Sequence, residues 1–352
     1  MPSFTNQGIN LYYRDRGAGE AVIFLHEFGG DARSWDYQIN YLSHHGSLFR
    51  TLALNARGYP PSDVPETADA YGWKENRDDV IALLDNLQIE KAHIVGLSMG
   101  GYIALMLRLT APERCLSVVC ASGGSGAHPP TREAFIRDSV TSAERIFKYR
   151  QIPAEGMASA PNRIQLKHKN EAAWQKFRQH LSDRPYVGAA YTLSEVQAKR
   201  PSLHDFADQL TRQTLPVLLL CGDEDEPCLD VNLWLKRTLP LAGLKIYPQS
   251  GHLLNLEMPD QFSQDILSFF KAVADGHWRR RPEQAFTSMF ESSTSTLIQG
   301  TVLRMIFGPA RPSSISINAC GPSAIARTSV QPAPVIVLLT SRSTASAKSL
   351  SR

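Results

Sequence analysis

Short apolar runs of strand length recur along the first 276 residues, and segments with helical periodicity lie between them. In Asp79–Leu87, for example, Val80, Leu83, Leu84 and Leu87 fall on one face of a helix. Continuous apolar strands that alternate with helices predict a mostly parallel sheet with helices on both faces. The predicted strands are Ile9–Tyr13, Ala21–Leu25, Thr51–Leu54, Ala92–Val95, Leu116–Cys120, Val217–Leu220 and Leu244–Tyr247.

This rhythm stops between residues 125 and 214, where no comparable strand run occurs. The interval is rich in helix formers and charged residues, so it is interpreted as a helical insertion between two strands of the sheet. Its aromatic residues are expected to pack internally, because aromatic side chains dominate the burial of apolar area. They are Phe135, Phe147, Tyr149, Trp174, Phe177, Tyr186 and Tyr191.

The composition changes again at the C-terminal end. Residues 277–352 carry nine Lys or Arg and two acidic residues, whereas residues 1–276 carry 28 basic and 32 acidic residues. The segment is also rich in Ser and Thr and lacks sustained periodicity, which is typical of a disordered basic tail. A misjoined or out-of-frame end of the reading frame is the alternative. Either interpretation makes the segment dispensable.

Bulk properties narrow the possible functions. The body is mildly acidic and shows no broad basic face, so nucleic acid is not an expected partner. Five cysteines without a Cys-x-x-Cys pair indicate neither a disulfide framework nor a zinc site. The N-terminus lacks the pattern of a secretory signal, and the longest apolar runs are too short to span a bilayer. We therefore expect a cytoplasmic protein that does not associate with a membrane.

The most informative motif is Gly96-Leu97-Ser98-Met99-Gly100, which follows a predicted strand and precedes the helical pattern Gly101–Leu107. Gly-x-Ser-x-Gly at a strand-to-helix turn is typical of a nucleophile elbow, in which the strained turn exposes a serine. The glycines allow the strand and the helix to approach closely. The first N–H groups of the helix would face an anion formed at Ser98.

A serine hydroxyl needs a base, and the base needs a carboxylate that holds its tautomer and orientation. The chain supplies both in the order serine, acid, histidine. Four acidic residues, 223–226, follow the predicted strand Val217–Leu220, and His252 follows the strand Leu244–Tyr247. Both groups lie at the carboxyl ends of strands, where open α/β sheets hold their sites.

Taken together, residues 1–276 resemble the α/β-hydrolase superfamily of cap-bearing small-molecule hydrolases. The resemblance implies an eight-stranded, mostly parallel sheet, with core segments 1–124 and 215–276 and a helical cap at 125–214. It also implies Ser98, Asp225 and His252 as the catalytic triad, with no cofactor and no metal. Besides Gly96–Gly100, it rests on Leu25–Gly30, Asn55–Tyr59, Gly222–Asp225 and Ser250–Pro259.

The family's oxyanion hole uses two backbone N–H groups. One belongs to the residue after the nucleophile, here Met99, and the other is by resemblance that of Phe28. The usual His-Gly is replaced by His26-Glu27. A carboxylate aimed at a developing oxyanion would oppose catalysis, so we expect Glu27 to point away from the hole. His26 is interpreted as a residue that shapes the loop.

A second departure from the family's pattern lies in one loop, where Asn55 replaces the usual Asp and Pro60-Pro61 replaces a Gly. This loop is structural in the family and is assigned no chemistry.

The function predicted from these residues is a cofactor-free serine hydrolase. It would act on a small ester, a lactone or a related acyl compound, with cleavage of a carbon–carbon bond as a close variant. A cofactor-free haloperoxidase or perhydrolase needs the same triad and stays open as an alternative. A ligand-binding receptor that retains the fold is the hypothesis from another class.

Overall fold

The computed structural model describes residues 2–44, 48–280 and 282, together with four strands after residue 300. The chain divides into two compact units, residues 1–280 and 281–352. The first contains every candidate catalytic residue.

An eight-stranded sheet forms the centre of the first unit, in the order β1-β2-β4-β3-β5-β6-β7-β8. The pairs β1–β2 and β2–β4 are antiparallel, and all other neighbours are parallel. The strands are β1 (Ser3–Asn6), β2 (Ile9–Gly17), β3 (Glu20–Leu25), β4 (Phe49–Leu54), β5 (Ala92–Leu97), β6 (Cys115–Ala121), β7 (Val217–Gly222) and β8 (Ala242–Tyr247).

Helices cover both faces of this sheet. Every residue of β5 and β7 is buried, as expected for central strands whose two faces both pack against helices. Successive side chains of a strand point to opposite faces of the sheet, so the apolar residues form two clusters, one on each face. Ile94 belongs to one cluster and Val95 to the other. The helices before β6 and after β7 are α1 (Asp36–His44), α2 (Trp73–Asn86), α3 (Met99–Thr110), α10 (Glu226–Thr238), α11 (Leu254–Glu257) and α12 (Pro259–Ala274).

The segment between β6 and β7 is helical. It contains α4 (Arg132–Tyr149), α5 (Ala154–Ala158), α6 (Ile164–Lys169), α7 (Glu171–Asp183), α8 (Tyr186–Tyr191), a π-helical stretch Thr192–Gln197 and α9 (Ala207–Arg212). Trp174 and Phe177 are buried, and Phe147 packs against Tyr186 and Tyr191. Tyr149 departs from the expected internal packing, because it is 61% exposed.

The predicted fold class, a mostly parallel α/β sheet with helices on both faces, is confirmed. Each predicted strand is longer in the structure than its apolar run, and the largest extension is in β2, which was predicted to end at Tyr13 and ends at Gly17. The helix predicted at Asp79–Leu87 begins earlier, at Trp73, and β8 begins at Ala242 rather than Leu244. β1 has no apolar run of its own, since only Phe4 among its residues is buried.

The body continues slightly past the predicted boundary at residue 276. The indole N–H of Trp278 donates to the carbonyl of Leu241 (2.8 Å), and its ring packs edge-on against Phe269. In the second unit, four strands form an antiparallel sheet in the order β10-β11-β12-β9. They are β9 (Thr301–Phe307), β10 (Ile317–Cys320), β11 (Ser323–Arg327) and β12 (Val335–Ser341).

The other residues of the predicted tail lie outside the described part of the chain. That the segment is a dispensable tail stays a prediction, as does the division of residues 1–276 into core and cap.

Candidate active site

Ser98 lies at the turn between β5 and α3, as the motif predicted. Its φ of 54° and ψ of −107° are strained for a residue with a side chain, which is the backbone geometry of a nucleophile elbow. A Cβ at Gly96 would lie 2.1 Å from the carbonyl oxygen of Gly100, and a Cβ at Gly100 would lie 2.1 Å from that of Leu25. Only glycine fits at either position, so the motif sets the close packing of β3, β5 and α3.

His252 and Asp225 form a buried pair at the carboxyl ends of β8 and β7. Nδ1 of His252 lies 2.8 Å from Oδ2 of Asp225, and both side chains are almost completely excluded from solvent. This bond places the proton on Nδ1 and leaves Nε2 as the basic nitrogen, which is the tautomer that a general base requires.

The rival carboxylates make other contacts. Asp223 accepts a hydrogen bond from the N–H of Ser250 (3.1 Å), and Glu224 accepts one from the amide of Gln165 (2.6 Å). Both are exposed, and Glu226 is an exposed residue in the first turn of α10. Of the four acidic residues at this loop, Asp225 is the one that is buried against His252.

Asp225 is ionised at neutral pH despite its burial. Burial by itself would raise the pKa of its carboxyl, but the opposing charge and hydrogen bond of His252, with a bond from Asn162, lower that pKa below its usual value. A charged Asp225 can orient His252 and stabilise the imidazolium that forms during proton transfer.

Ser98 and His252 line one cavity of about 250 Å³. The remaining lining is mainly apolar and comes mostly from the loop after β3 and from the helical insertion, including Phe28, Phe135 and Leu193, with Pro227 of α10. A larger cavity of about 450 Å³ also touches Gly29 but is lined by neither Ser98 nor His252. The smaller cavity is the candidate active site because it contains the candidate nucleophile and base.

The loop after β3 holds its peptide groups in a fixed orientation. His26 Nδ1 donates to the carbonyl of Glu27 (2.8 Å), and Nε2 accepts from the N–H of Ala56 (3.1 Å). Burial lowers the pKa of His26, which favours this neutral form. Since a trans peptide holds N–H opposite to C=O, fixing the Glu27 carbonyl also fixes the direction of the Phe28 N–H.

The next peptide group of this loop is held equally firmly. The Phe28 carbonyl accepts hydrogen bonds from the Tyr59 hydroxyl (2.9 Å) and from the guanidinium of Arg184. Arg184 follows α7 in the insertion, and its guanidinium stacks 3.6 Å from the centre of the Tyr59 ring. The loop predicted to supply one oxyanion donor is therefore held by a residue from the helical insertion.

Glu27 occupies the position where the resemblance led us to expect glycine. Its carboxylate is buried and pairs with Arg163 of the insertion, with 3.4 Å between Oε2 and Nη2. Its other oxygen has no hydrogen-bond partner in the described structure and lies close to Gly29 and Gly30. Arg163 partly balances the charge of Glu27, while the direction of that side chain relative to an oxyanion stays a prediction.

The loop after β4 is held together by Asn55. Its amide donates to the carbonyls of Tyr59 (3.2 Å) and Pro60 (2.9 Å), and its Oδ1 accepts from the N–H of Ala32 (2.7 Å). An Asp at this position would lack the two N–H donors. These contacts give the Asn55 substitution a structural role.

Asp225, Cys228 and His252 bring potential metal-ligating atoms within 4.8 Å of one another. Asp225 and His252 are already bonded to each other, and burial raises the pKa of the Cys228 thiol well above its usual value. A thiol that stays protonated is a poor ligand, because metals bind the thiolate. The three residues fit a hydrogen-bonded cluster better than a metal site.

Sequence reasoning missed the contribution of the insertion to this site. Asn162, Arg163 and Arg184 contact Asp225, Glu27 and Phe28 respectively. None belongs to a recognisable motif, and each contact joins residues more than 60 positions apart. No local signal in the sequence could have indicated them.

Comparison with known proteins agrees with this geometry. A sequence profile described as "Alpha/beta hydrolase family" matches residues 22–265, which is more than half of the chain. The chain belongs to the α/β hydrolase family. The match begins within β3 and ends within α12, and it includes the whole helical insertion and all three candidate triad residues.

Relatives of this family member are enzymes. The chain is 27% identical over 279 residues to the 2-hydroxy-6-oxononadienedioate/2-hydroxy-6-oxononatrienedioate hydrolase of Paraburkholderia xenovorans, covering 74% of this chain and 90% of that protein. It is 28% identical over 261 residues to 3-oxoadipate enol-lactonase 1 of Acinetobacter baylyi, covering 72% and 89%.

A protein of known structure that this chain resembles is also a hydrolase. A thermophilic esterase from Thermogutta terrifontis superimposes with a TM-score of 0.66 at 25% identity, covering 77% of this chain and 97% of the esterase. The protein is thus a hydrolase of the α/β fold. In the described part of the chain, no helix has both the length and the apolar composition needed to cross a bilayer.

Proposed function

We propose that this protein is a serine hydrolase that cleaves a small ester, a lactone or a related acyl bond through an acyl-enzyme. The carrying observation is that the strained turn residue Ser98 and the Asp225-bonded His252 line one cavity. Nucleophilic acyl transfer by this route requires a serine, a histidine with its proton on Nδ1 and a carboxylate that holds the histidine.

In the first half of the proposed reaction, Ser98 attacks the carbonyl carbon of the substrate. His252 Nε2 accepts the proton of the Ser98 hydroxyl, and the carbonyl oxygen becomes an oxyanion. The N–H groups of Met99 and Phe28 are the proposed donors to that oxyanion. Met99 is the first residue of α3, where N–H groups lack intrahelical acceptors and the helix dipole favours negative charge.

The tetrahedral intermediate then collapses. The protonated His252 gives its proton to the leaving alcohol oxygen, and an ester between Ser98 and the acyl group remains. In the second half, His252 takes a proton from water, and the hydroxide attacks the acyl carbon. The bond between that carbon and the Ser98 oxygen then breaks, His252 returns its proton to Ser98, and the acid is released. In a lactone, the leaving oxygen stays attached to the acyl group, so one ring-opened product forms.

The cavity supports a small substrate. Its volume of about 250 Å³ lies just below the usual range of ligand pockets, roughly 300–1,000 Å³. Its apolar walls suit a short hydrocarbon portion, and Arg163 and Gln197 add polar groups. By their names, the relatives act on an enol-lactone, a dienedioate and esters. We therefore propose a class of substrates, small esters, lactones and related acyl compounds, and no single compound.

The decisive experiment combines covalent labelling with a substrate panel. A fluorophosphonate should modify Ser98 stoichiometrically, as peptide mass spectrometry would show, and short nitrophenyl esters and small lactones should be hydrolysed. A protein that binds such compounds without labelling or turnover would be a receptor. Dependence of activity on hydrogen peroxide would favour a perhydrolase.

A further inference from the structure

Asn162 connects the helical insertion directly to the Asp225–His252 pair. It lies between α5 and α6, and its side-chain amide donates to Oδ1 of Asp225 at 3.2 Å. Its backbone carbonyl accepts a hydrogen bond from the N–H of His252 at 2.6 Å. One residue of the insertion therefore contacts both the acid and the base.

The histidine loop is shaped for this contact. A Cβ at Gly251 would lie 2.4 Å from the carbonyl oxygen of Asn162, so only glycine permits the approach. The other end of α6 meets the same loop, because Lys169 donates to the hydroxyl of Ser250 (2.7 Å).

The same loop is also held from within the core. The carboxylate of Glu257 accepts hydrogen bonds from the N–H groups of Gly251 (2.8 Å) and Leu253 (3.1 Å). The backbone on each side of His252 is thus fixed by Glu257, and that of His252 itself by Asn162.

We propose that Asn162 is a positioning residue for the hydrolytic reaction, acting through Asp225 and His252. Asp225 uses Oδ2 to orient the imidazole, and its Oδ1 is buried and needs a donor of its own. The amide of Asn162 supplies that donor and holds the carboxylate plane in the orientation that keeps Oδ2 on Nδ1. The carbonyl of Asn162 meanwhile fixes the backbone from which the imidazole projects.

This inference rests on the proposed function and extends it, because it makes the insertion part of the catalytic apparatus as well as a wall of the cavity. Removing the side-chain amide leaves the thiol of Cys228, a weak donor, as the remaining partner of Asp225 besides His252, so the carboxylate is held less firmly and can rotate or take up a proton. The backbone bond to His252 remains in such a variant, which separates the amide's contribution from the attachment of the loop.

The test compares N162L and N162D, which both remove the amide donor, with N170A as the matched control. Asn170 is in the same insertion and caps α7 through the N–H of Ala173, but it is exposed and is not among the hydrogen-bond partners of Asp225. For a short nitrophenyl ester, kcat/KM should fall about 10- to 100-fold in N162L and N162D, the range expected for a lost hydrogen bond to a charged group. N170A should stay within about twofold of the wild type.

A second measurement separates positioning from substrate contact or partial unfolding. In a D225N background, N162L should change kcat/KM by less than about twofold, because the carboxylate on which the amide acts is already gone. A full additional loss in D225N/N162L would overturn the inference, as would a kcat/KM for N162L equal to that of the wild type.

The two proposals fail in different ways. If the wild-type protein neither reacts with a fluorophosphonate nor hydrolyses any ester or lactone, the proposed function fails. If the wild type reacts at Ser98 and N162L reacts at the same rate, the function stands and the role of Asn162 is refuted.

Discussion

Asp225 accepts a 2.8 Å hydrogen bond from Nδ1 of His252, across 27 residues of sequence. D225N should keep the size of the side chain but allow the imidazole to adopt the wrong tautomer, so kcat should fall by about 10⁴. Steady-state ester hydrolysis measures this effect. D223N and E224Q are the matched controls. An equal loss of kcat in either variant would show that Asp225 is not the acid of the triad.

Removal of the nucleophile gives the sharpest test of the reaction. S98A should fold like the wild type, lose all labelling by a fluorophosphonate and lose on the order of 10⁶ in kcat. Circular dichroism checks the folding of S98A, and intact-protein mass spectrometry checks the loss of labelling. Persistent labelling in S98A would place the reactive group elsewhere.

Acidification should destabilise the folded protein partly through Asp225. Its pKa is lower in the folded protein than the usual 3.8, so its contribution to the free energy of unfolding is present above that pH and is lost as the pH falls through the folded value. Below about pH 4, the free energy of unfolding should fall more steeply for the wild type than for D225N. Urea unfolding between pH 6 and pH 2.5 measures both slopes, and parallel slopes would contradict the lowered pKa.

The Glu27–Arg163 pair should stabilise the fold asymmetrically. The Glu27 side chain is 1% exposed and that of Arg163 is 18% exposed, so R163M leaves the more deeply buried charge without its partner. R163M should therefore destabilise the protein more than E27Q, by roughly 1–3 kcal/mol against about 1 kcal/mol. Chemical unfolding measures the difference.

The double variant E27Q/R163M should be less destabilised than the sum of the two single changes, because it leaves no unpaired charge. The exposed pair Arg137–Glu133 in the same insertion provides the control, and R137M should have little effect. Strict additivity of E27Q and R163M would show that the two side chains do not interact.

Truncation at two nearby positions should affect the melting temperature differently. A chain that ends at Gln284 should retain activity and nearly the same melting temperature, because it keeps the whole body. A chain that ends at Asp275 also loses Trp278, whose indole bonds to Leu241 and packs on Phe269, so its melting temperature should fall by several degrees. Thermal unfolding compares them, and loss of folding in the longer chain would show that the C-terminal segment packs on the body.

Local pattern was sufficient for the central sheet. Strands such as Val217–Gly222 are buried on both faces and appear in the sequence as continuous apolar runs, whereas β1 buries only Phe4 and leaves no such signal. The turn at Ser98 was predictable because the backbones around it approach so closely that only glycine fits at two positions, which leaves a motif in the sequence. Family position singled out Asp225 among its acidic neighbours.

The contacts of the insertion could not be predicted in this way. Asn162 reaches Asp225 and Arg184 reaches Phe28 through packing between segments that are distant in sequence. Hydrogen bonds of this kind depend on the three-dimensional path of the chain and impose no periodicity on the residues around them. Replacement of the usual glycine by Glu27 was visible in the sequence, but its partner Arg163 was not.

The hydrogen bond between the Asn162 carbonyl and the His252 N–H ties reaction at Ser98 to the position of the insertion. Moving the insertion away from the sheet would break this bond and remove the amide of Asn162 from Asp225, so such an open form would lack the contacts that position the pair. Reaction then requires the closed arrangement, whatever route the substrate takes into it. The closed cavity of about 250 Å³ thus limits which acyl compounds can react, even when bulkier ones have intrinsically labile bonds.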